Sequence, residues 1–99
     1  MEKSLYVMQI IKTKEYKKLN MEWVKKHVEN LRTLDEEGKL ELWGTYKGFP
    51  GVAGMVIFRV ESLAKAKELC KQEPLVQGGY ATFTISELQV ANKENNYLL

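Results

Sequence analysis

The chain carries one histidine, His27, and a carboxylate, Glu73, placed directly before Pro74. An imidazole held beside a carboxylate is a proton-transfer unit. The acid fixes which ring nitrogen carries the proton and favours the charged ring, so the other nitrogen can give or take a proton near neutral pH. His27 falls on the stripe formed by Val24, Val28, Leu31 and Leu34, and Glu73 falls three residues after Cys70, so helical spacing puts both on apolar faces. A carboxylate on a buried face is costly unless paired, which makes His27 its candidate partner. The alternative for a lone histidine in such a stripe is a hydrogen-bonded core residue. Cys70 reads as a small core hydrophobe. One Cys and one His argue against a structural zinc site, and neither a metal nor a cofactor is expected.

The elements that would position this pair read as strand, helix, strand, strand, helix, strand. Leu5 to Ile11 is rich in β-formers. Asn20 is a helix N-cap and Gly38 a helix stop. Lys39 to Tyr46 is a second strand, joined by Lys47-Gly48-Phe49-Pro50-Gly51 to a third at Met55 to Val60, as a hairpin. Ser62 caps a second helix that Pro74 stops, with Glu73 in its last turn. After Gly78-Gly79 a last strand alternates Ala81, Phe83 and Ile85 against Thr82, Thr84 and Ser86. The segment Asn92 to Leu99 reads as a frayed tail, with an arm to a partner subunit as the alternative.

This order predicts a ferredoxin-like βαββαβ α+β sandwich, with both helices on one face of an antiparallel sheet. The start of helix one and the end of helix two then share one end of the sheet. His27 lies about 9 Å along helix one at 1.5 Å per residue, so it and Glu73 converge there. The loop bearing Lys12, Lys14, Lys17 and Lys18, the segment Tyr46 to Gly51 and the turn before Tyr80 should arrive at the same end and complete a pocket. Those lysines read as a solvated loop, or alternatively as an electropositive rim for a small anionic metabolite. Trp43, Tyr46 and Phe49 pack under the hairpin or stack on a planar ligand. Arg59 clamps a ligand carboxylate or pairs across a subunit interface. Tyr46, Phe49, Arg59 and Tyr80 are candidate ligand contacts.

The other sheet face would show Leu5, Val7, Met55 and Ile57 with Gln9, Arg59, Thr82 and Thr84. Such a mixed surface fits burial against a second copy, so a homodimer or a multiple of dimers is expected. Length favours a single domain over residues 1–99, with a core over about 4–90. The composition, 44% apolar and 28% charged with a net charge of +2, is that of an ordinary globular protein and points to neither nucleic acid nor membrane. Gly51 to Phe58, the longest mainly apolar stretch, falls far short of the ~20 residues that span a bilayer. Leu5 to Ile11, interrupted by Gln9, does not read as a signal peptide, so a cytoplasmic location is expected.

His27-Val28-Glu29-Asn30-Leu31, Glu37-Gly38-Lys39-Leu40, Gly44, Val60-Glu61-Ser62-Leu63 with Ala66, and Glu73-Pro74-Leu75-Val76-Gln77-Gly78-Gly79 together resemble the YciI (YCII-related) family of dimeric α/β-barrel proteins over about residues 4 to 90. The resemblance implies a ferredoxin-like subunit paired sheet to sheet, with an active site built on a His and an Asp. His27 matches the family histidine. Glu73 stands at the family aspartate, one methylene longer. Gly44 matches the glycine of a Gly-Pro pair, and Thr45 replaces its proline, so both join the candidate ligand contacts. The chemistry implied is a lyase or isomerase reaction on a small lactone-like or muconate-like acid.

Two other readings compete. A non-catalytic dimer that binds a small metabolite needs the same pocket. An RNA-recognition module shares the element order, and Leu5-Tyr6-Val7 and Lys47-Gly48-Phe49 resemble its motifs. Pro50 and Gly51 break the second motif before the aromatic that base stacking requires, so RNA binding ranks last.

Overall fold

Alternation along the strands sorts the sheet into a dry face and a mixed one. In the computed structural model, which describes residues 2–99, β1 spans Ser4–Lys12, α1 Met21–Glu36, β2 Leu40–Thr45, β3 Val52–Val60, α2 Leu63–Gln72, α3 Pro74–Gln77 and β4 Ala81–Leu88. Short 3-10 turns cover Tyr16–Lys18 and Lys93–Leu98. The strands form one sheet in the order β2-β3-β1-β4, with every neighbouring pair antiparallel. This is the ferredoxin-like α+β arrangement that the element order predicts.

Tyr6, Met8 and Ile10 of β1 lie opposite Phe58, Val56 and Gly54 of β3, and this row faces the helices. Leu31 and Leu34 from α1, Ala66 and Cys70 from α2 and Leu75 from α3 close over it to form the core. Removing a large side chain such as Met8 from this layer would cost about 2–5 kcal/mol. Leu5, Val7, Gln9, Met55 and Ile57 occupy the opposite face, as alternation requires.

Capping sets the helix ends. The Asn20 side chain accepts the Trp23 N–H at 3.2 Å and starts α1. Gly38, at φ +73°, ends it by turning the chain so that the Lys39 N–H reaches the Leu34 carbonyl at 2.9 Å. Ser62 caps α2 through the Lys65 N–H.

Four expectations need correction. α2 ends at Gln72, so Glu73 lies just past the last turn instead of in it. Pro74 does not merely stop that helix: with its ring at the first position and no N–H to satisfy, it opens α3, where a plain turn was expected. The Lys93–Leu98 segment is a turn capped by Asn92, whose side chain accepts the Glu94 and Asn95 N–H groups, and is not a frayed end. β3 also begins at Val52, three residues before the expected start.

Candidate active site

Glu73 is the junction residue between α2 and α3, and its carboxylate is fully committed. One oxygen, Oε1, meets His27 Nδ1 in a short contact. The other, Oε2, accepts the Leu75 N–H at 2.6 Å and so caps α3. Glu73 is 1% exposed and His27 6% exposed, so this polar pair lies among apolar side chains. α1 supplies the histidine and packs on α3 and β2, which makes the four-residue α3 the element that joins the two halves of the site.

An ionised carboxylate can only accept hydrogen bonds, so Nδ1 is the donor and the neutral ring carries its lone pair on Nε2. Among the described residues Nε2 finds no hydrogen-bond partner and no buried side-chain nitrogen or oxygen is left unpaired, so Nε2 is not sealed in the core. His27 lines the adjoining pocket, the open space beside its ring. The thiol of Cys70 reflects the same environment. Burial, reinforced by the negative charge of Glu73, pushes its pKa up to about 12.

The pocket has a volume of about 160 Å³ and lies between α1, the first connection and the β2–β3 end of the sheet. Ile10, Leu19, Val24, Val28 and Leu75 make its apolar walls, and Tyr16 and Thr45 bring hydroxyl groups. Cavities of about 150 Å³ admit a benzene-sized molecule, so there is room for one six-membered ring. Among the described residues no Lys or Arg lines it, which leaves His27 as the one side chain there able to carry positive charge. No group of three or more His, Cys, Asp or Glu among the described residues could hold a metal ion.

Of the candidate ligand contacts, Thr45 lines the pocket with His27, while Gly44, Tyr46, Phe49, Arg59 and Tyr80 do not. Gly44 is paired with Met55, on the face away from the helices. The Tyr46 hydroxyl donates to Gln9 Oε1 at 3.0 Å on that same face, and Phe49 packs on the Tyr46 ring at 5.2 Å. Arg59 binds Glu41 of its own chain, Nε to Oε1 at 2.8 Å, five residues and thus ~17 Å along β3 from Gly54. Tyr80 packs edge-on against Trp23 at 5.6 Å and receives Thr13 N–H at its carbonyl, so it ties loops together behind the site. The lysines of the first connection also stay outside the pocket: Lys18 pairs with Glu15 at 3.1 Å, and the Lys12 ammonium lies over the Tyr16 ring at 5.0 Å.

Trp43, read from the sequence as packing under the hairpin or stacking on a ligand, lines the pocket, and so does Tyr16, which the sequence did not single out. The Trp43 ring meets His27 edge-on, with centroids 5.2 Å apart at 89°. Strict alternation from Leu40 would turn Trp43 away from the helices. An irregularity in the β2–β3 pairing places Leu40 opposite Phe58 and Leu42 opposite Ile57, so Glu41 is extra and Trp43 turns inward opposite Val56. Tyr16 carried no signal beyond its place in the lysine-rich connection.

The YCII-related domain matches residues 5–89, and the chain belongs to the YCII-related family. It is 33% identical over 82 residues, 83% of this chain and 91% of the relative, to the uncharacterised protein YjpA of Bacillus subtilis. Its fold is similar to that of the 5-chloro-2-hydroxyhydroquinone dehydrochlorinase TftG of Burkholderia phenoliruptrix, solved in complex with 2,5-dihydroxybenzoquinone. The TM-score is 0.73 and the identity 14%, over 93% of this chain and 99% of that one. No helix among the described residues is long and apolar enough to cross a membrane.

Proposed function

We propose that the protein is a lyase or isomerase for a small cyclic acid or enol, with His27 as general acid/base and Glu73 as the residue that orients it. The observation that carries this reading is the division of labour on the imidazole. Nδ1 is bound to a buried carboxylate that is itself held by the Leu75 N–H, and Nε2 is left beside an apolar, ring-sized pocket. In that position Nε2 takes a proton from a carbon beside a carbonyl or enol. The electron pair left behind forms the new double bond, and a leaving group departs or the proton returns at another carbon. Thr45 and Tyr16 supply hydroxyls for the oxygens of the ring. Among the described residues no lysine or arginine lines the pocket to balance a ligand's charge, so a neutral or singly charged ring suits it better than a muconate-like dianion. The similarity of fold to a dehydrochlorinase supports an elimination as the first reaction to test.

The experiment is a turnover screen over single-ring chlorinated hydroquinones, hydroxyquinones and lactone acids, followed by absorbance. An active compound should lose about 10²–10⁴-fold in kcat with His27→Ala. Glu73→Gln should lose a similar factor, because the amide donates to Nδ1 and moves the proton onto Nε2. Turnover that survives His27→Ala would sink the proposal. The pocket offers few groups to stabilise developing negative charge, and that favours a binding-only role as the second reading. Saturable binding without turnover across the screen would select it.

For assembly we infer a homodimer joined through the mixed sheet face, on the strength of Leu42, Val7, Met55 and Leu88 lying together there.

A further inference from the structure

A single hydrogen bond is a weak constraint on an imidazole, because the ring can still swing about its Cβ–Cγ bond. In this protein the second constraint is Trp43. Its ring stands at 89° to the imidazole with centroids 5.2 Å apart, within the range of edge-to-face aromatic pairs. Both rings line the same pocket. We propose that Trp43 is a positioning residue that locks His27 with Nδ1 on Glu73 and Nε2 toward the ligand. The claim about geometry stands alone, and its meaning for turnover rests on the function proposed above.

Trp43 lies on β2, an edge strand, which would ordinarily be free to shift. Two features fix it. The extra residue Glu41 turns Trp43 inward, and Arg59 from β3 grips the Glu41 carboxylate through Nε at 2.8 Å and through Nη2. At the other end of the strand, β2 and β3 approach so closely that a Cβ on Gly54 would overlap the carbonyl oxygen of Gly44. Gly54 is therefore required by the close approach of the strand that carries Trp43. An alanine there must push β2 outward and carry the indole away from His27.

The test reads the ring itself and needs no substrate. His27 is the only histidine, so its two ring nitrogens can be followed without ambiguity by nitrogen NMR at a pH where the wild-type ring is neutral. The wild type should show one tautomer, with the proton on Nδ1, and Overhauser contacts between indole and imidazole protons. Trp43→Leu and Gly54→Ala should each move both nitrogen resonances toward a common averaged position, while Trp43→Phe, which keeps an aromatic edge, should retain the wild-type pattern. Unchanged resonances in folded Trp43→Leu would overturn the proposal. If that variant does not fold, absence of the indole–imidazole contacts in the wild type, or an averaged pattern in Trp43→Phe, overturns it equally. A wild-type tautomer pattern that depends on Trp43 in a protein without turnover would leave this inference intact and reject the enzymatic one.

Discussion

The two ends of α2 hold similar ingredients, a carboxylate touching a basic side chain, in opposite surroundings. Before the helix starts, Glu61 and Lys65 meet at 3.2 Å beside a polar hollow lined by Lys39, Glu68 and Gln72. Just past its end, Glu73 meets His27 among apolar side chains. In water an ion pair gains little, because solvent already stabilises each charge and screens their attraction. Away from water each group depends on its partner, and the geometry of the pair becomes fixed. Contact alone therefore does not mark a site. Dehydration of the contact, with one nitrogen left beside an open pocket, does.

The strongest way to break this contrast is to remove one buried partner. Glu73→Ala leaves His27 without its acceptor and α3 without its cap, and should cost about 3–5 kcal/mol in a urea unfolding series. Replacing both partners with apolar groups, His27→Leu with Glu73→Met, should recover most of that loss while leaving nothing to move a proton. If the double replacement is as unstable as Glu73→Ala, the pair is a structural necessity and the argument that it is kept for chemistry fails.

A second contrast lies between the two faces of the sheet. Ile57 is 8% exposed within one chain, so an aspartate there would damage the fold whether or not a partner covers it. Leu42, on the same face and 55% exposed, separates the two effects. Leu42→Asp should leave the unfolding midpoint of a monomer almost unchanged, yet it should dissociate a sheet-to-sheet dimer by burying an unpaired charge at a cost of several kcal/mol. Light scattering on wild type and variant decides it. A monomeric wild type at micromolar concentration would remove the interface.

The parts of this molecule that follow simple periods were legible in the sequence. His27, Leu31 and Leu34 on one helical stripe, β1 as a strand, the alternation of β4, and the caps at Asn20 and Ser62 all stand in the structure as read. The convergence of His27 and Glu73 was legible too, because βαββαβ topology puts the start of α1 and the end of α2 at one end of the sheet. What was hidden depends on breaks in period. The extra residue at Glu41 reverses the parity of β2, and a reading that assumes alternation cannot see Trp43 turn inward. Tyr46 and Phe49 follow that strand onto the open face, and Arg59 has the parity of that face together with a partner in its own chain. A pocket assigned from proximity in sequence thus kept Thr45 and lost its neighbours.

Cys70 offers a probe of the dehydrated end from within. Its thiol has a pKa of about 12 in the folded chain against an ordinary value of 9.0, because burial and the charge of Glu73 both oppose ionisation. Below pH 9 the thiol is neutral in both states and this difference contributes its full stabilisation. As pH rises from 9 toward 12 only the unfolded chain ionises, so stability should fall with pH across that window. Cys70→Ala should remove this component of the slope in urea midpoints measured between pH 8 and 10. Iodoacetamide should label native Cys70 far more slowly than the unfolded chain, and rapid native labelling would show that this end is wet.

The smallest expected effect tests the exposed end. The backbone around Glu61 and then Lys65 hold its carboxyl below the ordinary carboxylate value, which on its own would suggest a pair worth keeping. Because Glu61 lies in solvent-screened surroundings, that shift should carry almost no stability. Glu61→Gln should leave the unfolding midpoint within replicate scatter at low salt, and adding salt should not separate variant from wild type. A clear loss of stability in Glu61→Gln would mean that proximity matters without dehydration, and would undo the distinction drawn between the two ends of α2.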